Sequence, residues 1–141
     1  MTGPMKFIPE SHKGPLYEQD DTFEGNNLLS RGQHVKTEVN EKDSILATLS
    51  PGEMSIHDVR TIHGSGPNTT TDRRIGMALR YCATNVKQTK TDRDRAILVA
   101  GEDHYQHFEM ISRPIRDMND KALSLAHCHS QTRTKALMDT D

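Results

Sequence analysis

Up to about residue 110 the apolar residues of this chain come in short runs, punctuated by glycine and proline turns every ten or so residues. No run before that point holds a helical period, so the pattern predicts an all-β fold of sandwich, jelly-roll or barrel type. "MKFIP" (5–9) reads as a brief strand stopped by Pro9, and "QHVKTEV" (33–39) alternates as a strand does. "SILATLS" (44–50) is closed by the turn pair Pro51-Gly52. "MSIHDVRTIH" (54–63), "RIGMALRYCATNV" (74–86) and "AILVAG" (96–101) continue the rhythm, whereas residues 11–27 are polar loop material. The character then changes. "DMNDKALSLAHCHSQTRTKALM" (117–138) has helical composition, with Asp117 or Asn119 as the cap and Ala122, Leu123, Leu125 and Ala126 as an apolar patch.

Length and charge narrow the function classes. A chain of 141 residues with 27% charged side chains and a formal charge of -2 is one soluble domain by size, with no electrostatic pull toward nucleic acid or an anionic membrane. Even with the nine glycines added to the 33% of apolar residues, the share stays below the roughly 45–50% of ordinary globular domains, which predicts a thin core. The N-terminus has neither a basic flank nor a long apolar segment, so a cytoplasmic protein is expected. Cys82 and Cys128, far apart in such a chain, are then expected as thiols rather than as a disulfide.

The chemistry concentrates in "IHGSGPNTTTDRR" (62–74). A histidine beside a glycine-rich turn is how a β scaffold presents one imidazole to a metal with a side left open. Alone, a histidine such as His63 is more often a ring that hydrogen-bonds within its turn. Arg74 on a following strand would offer a guanidinium suited to a bidentate carboxylate, although an arginine is more often a surface cation. Ser65 and Asn68 either reach a ligand or brace the turn.

"PGEMSIHDVRTIHGSGPNTTTDRRIGMALRY" (51–81) closely resembles the distal part of the phytanoyl-CoA dioxygenase family of iron(II)- and 2-oxoglutarate-dependent oxygenases, with its histidine in an H-x-S-x-x-N turn and an arginine beyond it. "MKFIPESHKGPL" (5–16) is similar to the family's "PGSH" segment and "LVAGEDHYQHFE" (98–109) to its last strand. The resemblance implies a double-stranded β-helix, a cupin-like jelly roll, of which residues 1–110 would be the C-terminal portion and 111–141 a helical or partly disordered tail. It implies His63 as an iron ligand, Arg74 as the clamp on the remote carboxylate of 2-oxoglutarate, and Ser65 as its helper. It further implies a small-molecule substrate, oxidised at the expense of dioxygen and the 2-oxo acid, with the metal carrying the redox chemistry and the protein its geometry.

Two departures shape the expectation. The family's other histidine and its carboxylate belong to an H-x-D or H-x-E triplet upstream of "PGSH", and no histidine ahead of His63 has an acid two residues on. The chain therefore reads as a fragment with one ligand of three, inactive alone; the alternative is a non-catalytic carboxylate-binding or self-associating β module, with homo-oligomers forming through open sheet edges. His57 is a weak replacement ligand, and His104, His107, His127 and His129 read as surface histidines. The second departure is Glu10, where the family has glycine; if that position needs positive φ, glutamate strains it by about 1 kcal/mol or more. The loop at 11–32, Gln33 and Arg80 are further candidates for the cavity mouth and wall.

Overall fold

The computed structural model describes residues 2–23, 31–91 and 94–138, so the part of the mouth loop at 24–30 lies outside the described residues, as do the last three of the chain. The described residues form seven three-residue strands and one α-helix, in two compact units, Met1–Met77 and Ala78–Asp141.

In the first unit β1 (Met5–Phe7) is the centre of a three-stranded antiparallel sheet, flanked by β4 (Ile45–Ala47) and β5 (His63–Ser65). β2 (Gln19–Asp21) and β3 (Gln33–Val35) form a separate antiparallel pair. Glu10 opens a one-turn 3-10 helix at Ser11–Lys13 with φ 61° and ψ 0°, the left-handed conformation that the glycine of the family pattern would adopt freely. Ser11 ties this turn to the sheet: its hydroxyl donates to the carbonyl of Ile8 at 2.7 Å and accepts from the N–H of Ile62 at 2.8 Å. The N–H of Ile8 donates to the Ile62 carbonyl at 2.9 Å, so the ends of β1 and β5 are held together just where His63 begins its strand.

In the second unit β6 (Asp94–Ala96) and β7 (Phe108–Met110) pair in parallel. The helix α1 (Asp120–Met138) starts where the sequence places it, because the Asn119 side chain accepts from the N–H of Ala122 at 3.1 Å. Ala122, Leu125 and His129 form its half-buried stripe at helical spacing, and His129 Nε2 meets the Asp94 carboxylate of β6 at 2.9 Å. Burial pushes the Asp94 carboxyl up, but hydrogen bonds from the Arg95 backbone N–H and from His129 outweigh it and hold the group below its ordinary range.

The strands are shorter than the apolar runs suggest. Residues 73–83 join no ladder, because no neighbouring backbone supplies the partner groups, and the long apolar run there stays unpaired with Ile75, Met77 and Tyr81 exposed. β2 arises instead inside a stretch expected to be loop, held by pairing with β3 and by the Arg31 guanidinium on the Asp21 carboxylate, with Nε at 2.8 Å. No hydrophobic side chain among the described residues is fully buried, in line with the thin core expected from composition. Both cysteines are free and exposed, and among the described residues no helix is long and apolar enough to cross a membrane.

Candidate functional site

His63 is the first residue of β5 and sits directly opposite Phe7 of β1 in the antiparallel register. The turn before it is built by Asp58. The Asp58 carbonyl accepts from the N–H of Thr61 at 3.0 Å, and its carboxylate accepts from the N–H of Arg60 at 2.8 Å. That backbone contact first, then the Arg60 guanidinium, keeps the Asp58 carboxyl below its ordinary range, so the group is committed to its turn. The chain thereby folds back, and His57 returns beside His63 with ring centroids 5.1 Å apart. Phe7 backs both rings, at 4.6 Å from His57 and 6.0 Å from His63.

The protonation of His63 follows from its partner. Its Nδ1 lies 2.6 Å from the Thr61 carbonyl, which can only accept, so Nδ1 carries the proton and Nε2 keeps its lone pair. A ring fixed through one nitrogen and open at the other is the arrangement that orients a metal-binding imidazole. His63 is exposed, as are Gly64 and Ser65 after it.

Asn68 braces the turn rather than reaching outward. Its amide nitrogen donates to the Asp72 carbonyl at 2.7 Å, and its oxygen accepts from the Thr70 N–H at 3.0 Å and the Thr70 hydroxyl at 2.8 Å. Arg74 emerges from this turn exposed and with no ion pair among the described residues. Arg80 is likewise exposed, and Gln33 pairs with Asp21 across the β2–β3 ladder.

Two histidines and a carboxylate would be needed to hold ferrous iron as the resemblance implies. His63 fits as one such ligand, but among the described residues no group of three or more His, Cys, Asp and Glu side chains is placed to hold a metal ion. Four of the other histidines have partners elsewhere. His104 contacts Glu102 at 3.3 Å, His107 stacks on Tyr105, His127 bonds Gln131, and His129 bonds Asp94. One tripeptide with the H-x-E spacing, His107-Phe108-Glu109, lies downstream of His63, on the side opposite to the family's triplet. Its Glu109 carboxylate, on β7, accepts from Arg95 Nε of β6 at 3.2 Å. Sequence reasoning also missed Ser11, whose role depends on a contact with a residue 51 positions away.

Comparison with known proteins places the strands and turn in context. The family model described as phytanoyl-CoA dioxygenase matches residues 1–76, a span that includes His63, Ser65 and Arg74. The chain belongs to the phytanoyl-CoA dioxygenase family. A protein of Stutzerimonas stutzeri, named as a probable alpha-ketoglutarate-dependent hypophosphite dioxygenase, is 34% identical over 85 residues, which are 59% of this chain. The match spans 29% of that relative's length. No solved structure matches the chain.

Proposed function

We propose that these 141 residues carry the distal half of an iron(II)- and 2-oxoglutarate-dependent oxygenase site. In this reading residues 1–110 are part of a double-stranded β-helix and 111–141 its tail, and turnover requires an H-x-D or H-x-E triplet carried outside this half. His63 presents Nε2 to the metal, Arg74 pairs with the remote carboxylate of the 2-oxo acid, and Ser65 donates to the same carboxylate. The bound metal supplies the redox chemistry. The chain's own part is to fix the imidazole through Thr61 and to offer an uncommitted guanidinium beyond the Asn68-braced turn. The observation that carries the reading is the exposed, tautomer-fixed His63 within the span matched by the family model.

The test is binding of 2-oxoglutarate to the full 141-residue chain with ferrous iron under anaerobic conditions, followed by admission of dioxygen with succinate as the turnover readout. Weak binding that falls about tenfold or more in Arg74→Gln, with no succinate formed, is the expected result. Equal binding by wild type, Arg74→Gln and His63→Ala overturns the assignment of the site. Succinate formation, or the visible charge-transfer absorption of a 2-oxo acid chelated to protein-bound iron, overturns the reading of a half-site.

A second reading, a self-associating β module, is favoured by one observation. Ile75, Met77, Leu79 and Tyr81 alternate along an unpaired segment and are 80%, 87%, 68% and 74% exposed. Apolar alternation of this kind ordinarily lines a covered sheet face. A ligand-independent dimer in sedimentation would support this reading, and a monomer would remove it.

A further inference from the structure

We infer that His57 joins His63 in a two-imidazole clamp for a late first-row divalent cation, copper(II), nickel(II) or zinc(II). The inference rests on the reading of His63 as a metal ligand and adds a nitrogen donor that an upstream triplet would not supply. The Asp58 turn returns the chain so that two imidazoles six residues apart lie 4.6 Å and 6.0 Å from the Phe7 ring, tilted to it by 56° and 35°. An ion held at about 2.1 Å from one nitrogen of each ring, at an ordinary coordination angle, places the ring centroids roughly 5 Å apart. The observed separation is 5.1 Å with the planes inclined at 60°. Rings stacked face to face would direct their in-plane lone pairs side by side, whereas inclined rings let them converge.

The free nitrogens are present. His63 keeps Nε2 because Nδ1 donates to Thr61, and His57 has no hydrogen-bond partner among the described residues. Both rings are exposed, so a cation reaches them without leaving water for an apolar interior. Phe7 lies against both rings. Imidazole pairs favour copper over nickel and zinc, and the remaining coordination positions are left for water or an added carboxylate. Asp58 is no third ligand, because its carboxylate is tied to Arg60.

The experiment is copper(II) titration of the full chain by calorimetry, with pulsed electron paramagnetic resonance counting the imidazoles bound to the metal through their remote nitrogens. Wild type is expected to show two coordinated imidazoles. His57→Phe, which keeps the ring stack, and His63→Phe are each expected to show one, with affinity reduced about tenfold or more. His57→Gln repeats the test should phenylalanine disturb the turn, and His127→Gln controls for the histidines of α1. If His57→Phe and His57→Gln bind as wild type does while His63→Phe fails, His57 is only a stacking partner and the inference falls, leaving His63 a ligand. If neither position matters, copper sits elsewhere as an adventitious ion only, and both the inference and the assignment of His63 fall.

Discussion

His63 donates its Nδ1 proton to the carbonyl of Thr61, two residues back along the chain, at 2.6 Å. The contact is local, yet it determines which nitrogen faces outward. Free histidine prefers the proton on Nε2, so the expected outcome is an inverted tautomer at His63. Long-range nitrogen-15 correlation spectra at neutral pH check this: Nδ1 should show the protonated shift, and an Nε2-protonated ring would remove the metal-facing lone pair.

Glu10 occupies a left-handed backbone position. Replacement by glycine relieves a Cβ clash of about 1 kcal/mol, which exceeds the few tenths contributed by the exposed ion pair with Lys13. Glu10→Gly is therefore expected to slow hydrogen exchange of the amides of Lys13 and Gly14, which close this turn, about fivefold. Glu10→Ala, which loses the ion pair and keeps the strain, should speed it.

Gly3 is buried with φ +71°, and a Cβ built there would stand 2.4 Å from the carbonyl oxygen of Gly66. Backbone cannot swing aside as a flexible side chain does. Gly3→Ala is expected to destabilise the β1–β5 pairing by about 1–3 kcal/mol, read as faster exchange of the Ile8 amide, which donates to Ile62. Gly64→Ala, where nothing lies within 4 Å of the added carbon, is the control and should change little.

Asp94 has a carboxyl pKa lowered in the folded chain, so the unfolded chain binds its proton more readily. Its contribution to stability is full above the unfolded value near 3.9 and is lost as pH falls through the lower folded value. Docking of α1 on β6 is expected to weaken on acidification below about pH 4, seen as release of the His129 ring resonances from the Asp94 contact. Asp94→Asn should remove that acid step while leaving the helix cap at Asn119 intact.

Features under local chemical control were legible in the amino-acid order alone. The tail helix and its Asn119 cap, the strand at "MKFIP", the strain at Glu10 and the family carried by the histidine turn all depend on residues near one another in the chain. Features that depend on distant partners emerged only with the folded chain. Residues 74–86 have strand composition yet form no ladder, since a strand exists only where another backbone answers its N–H and C=O groups. Loop-like residues 19–21 became β2 because residues 33–35 and Arg31 meet them. Asn68, open between ligand and brace in the sequence, braces its turn. The approach of His57 to His63 also emerged only in the folded chain, because alternation along a strand says nothing once the Asp58 turn interrupts it, and both rings meet Phe7.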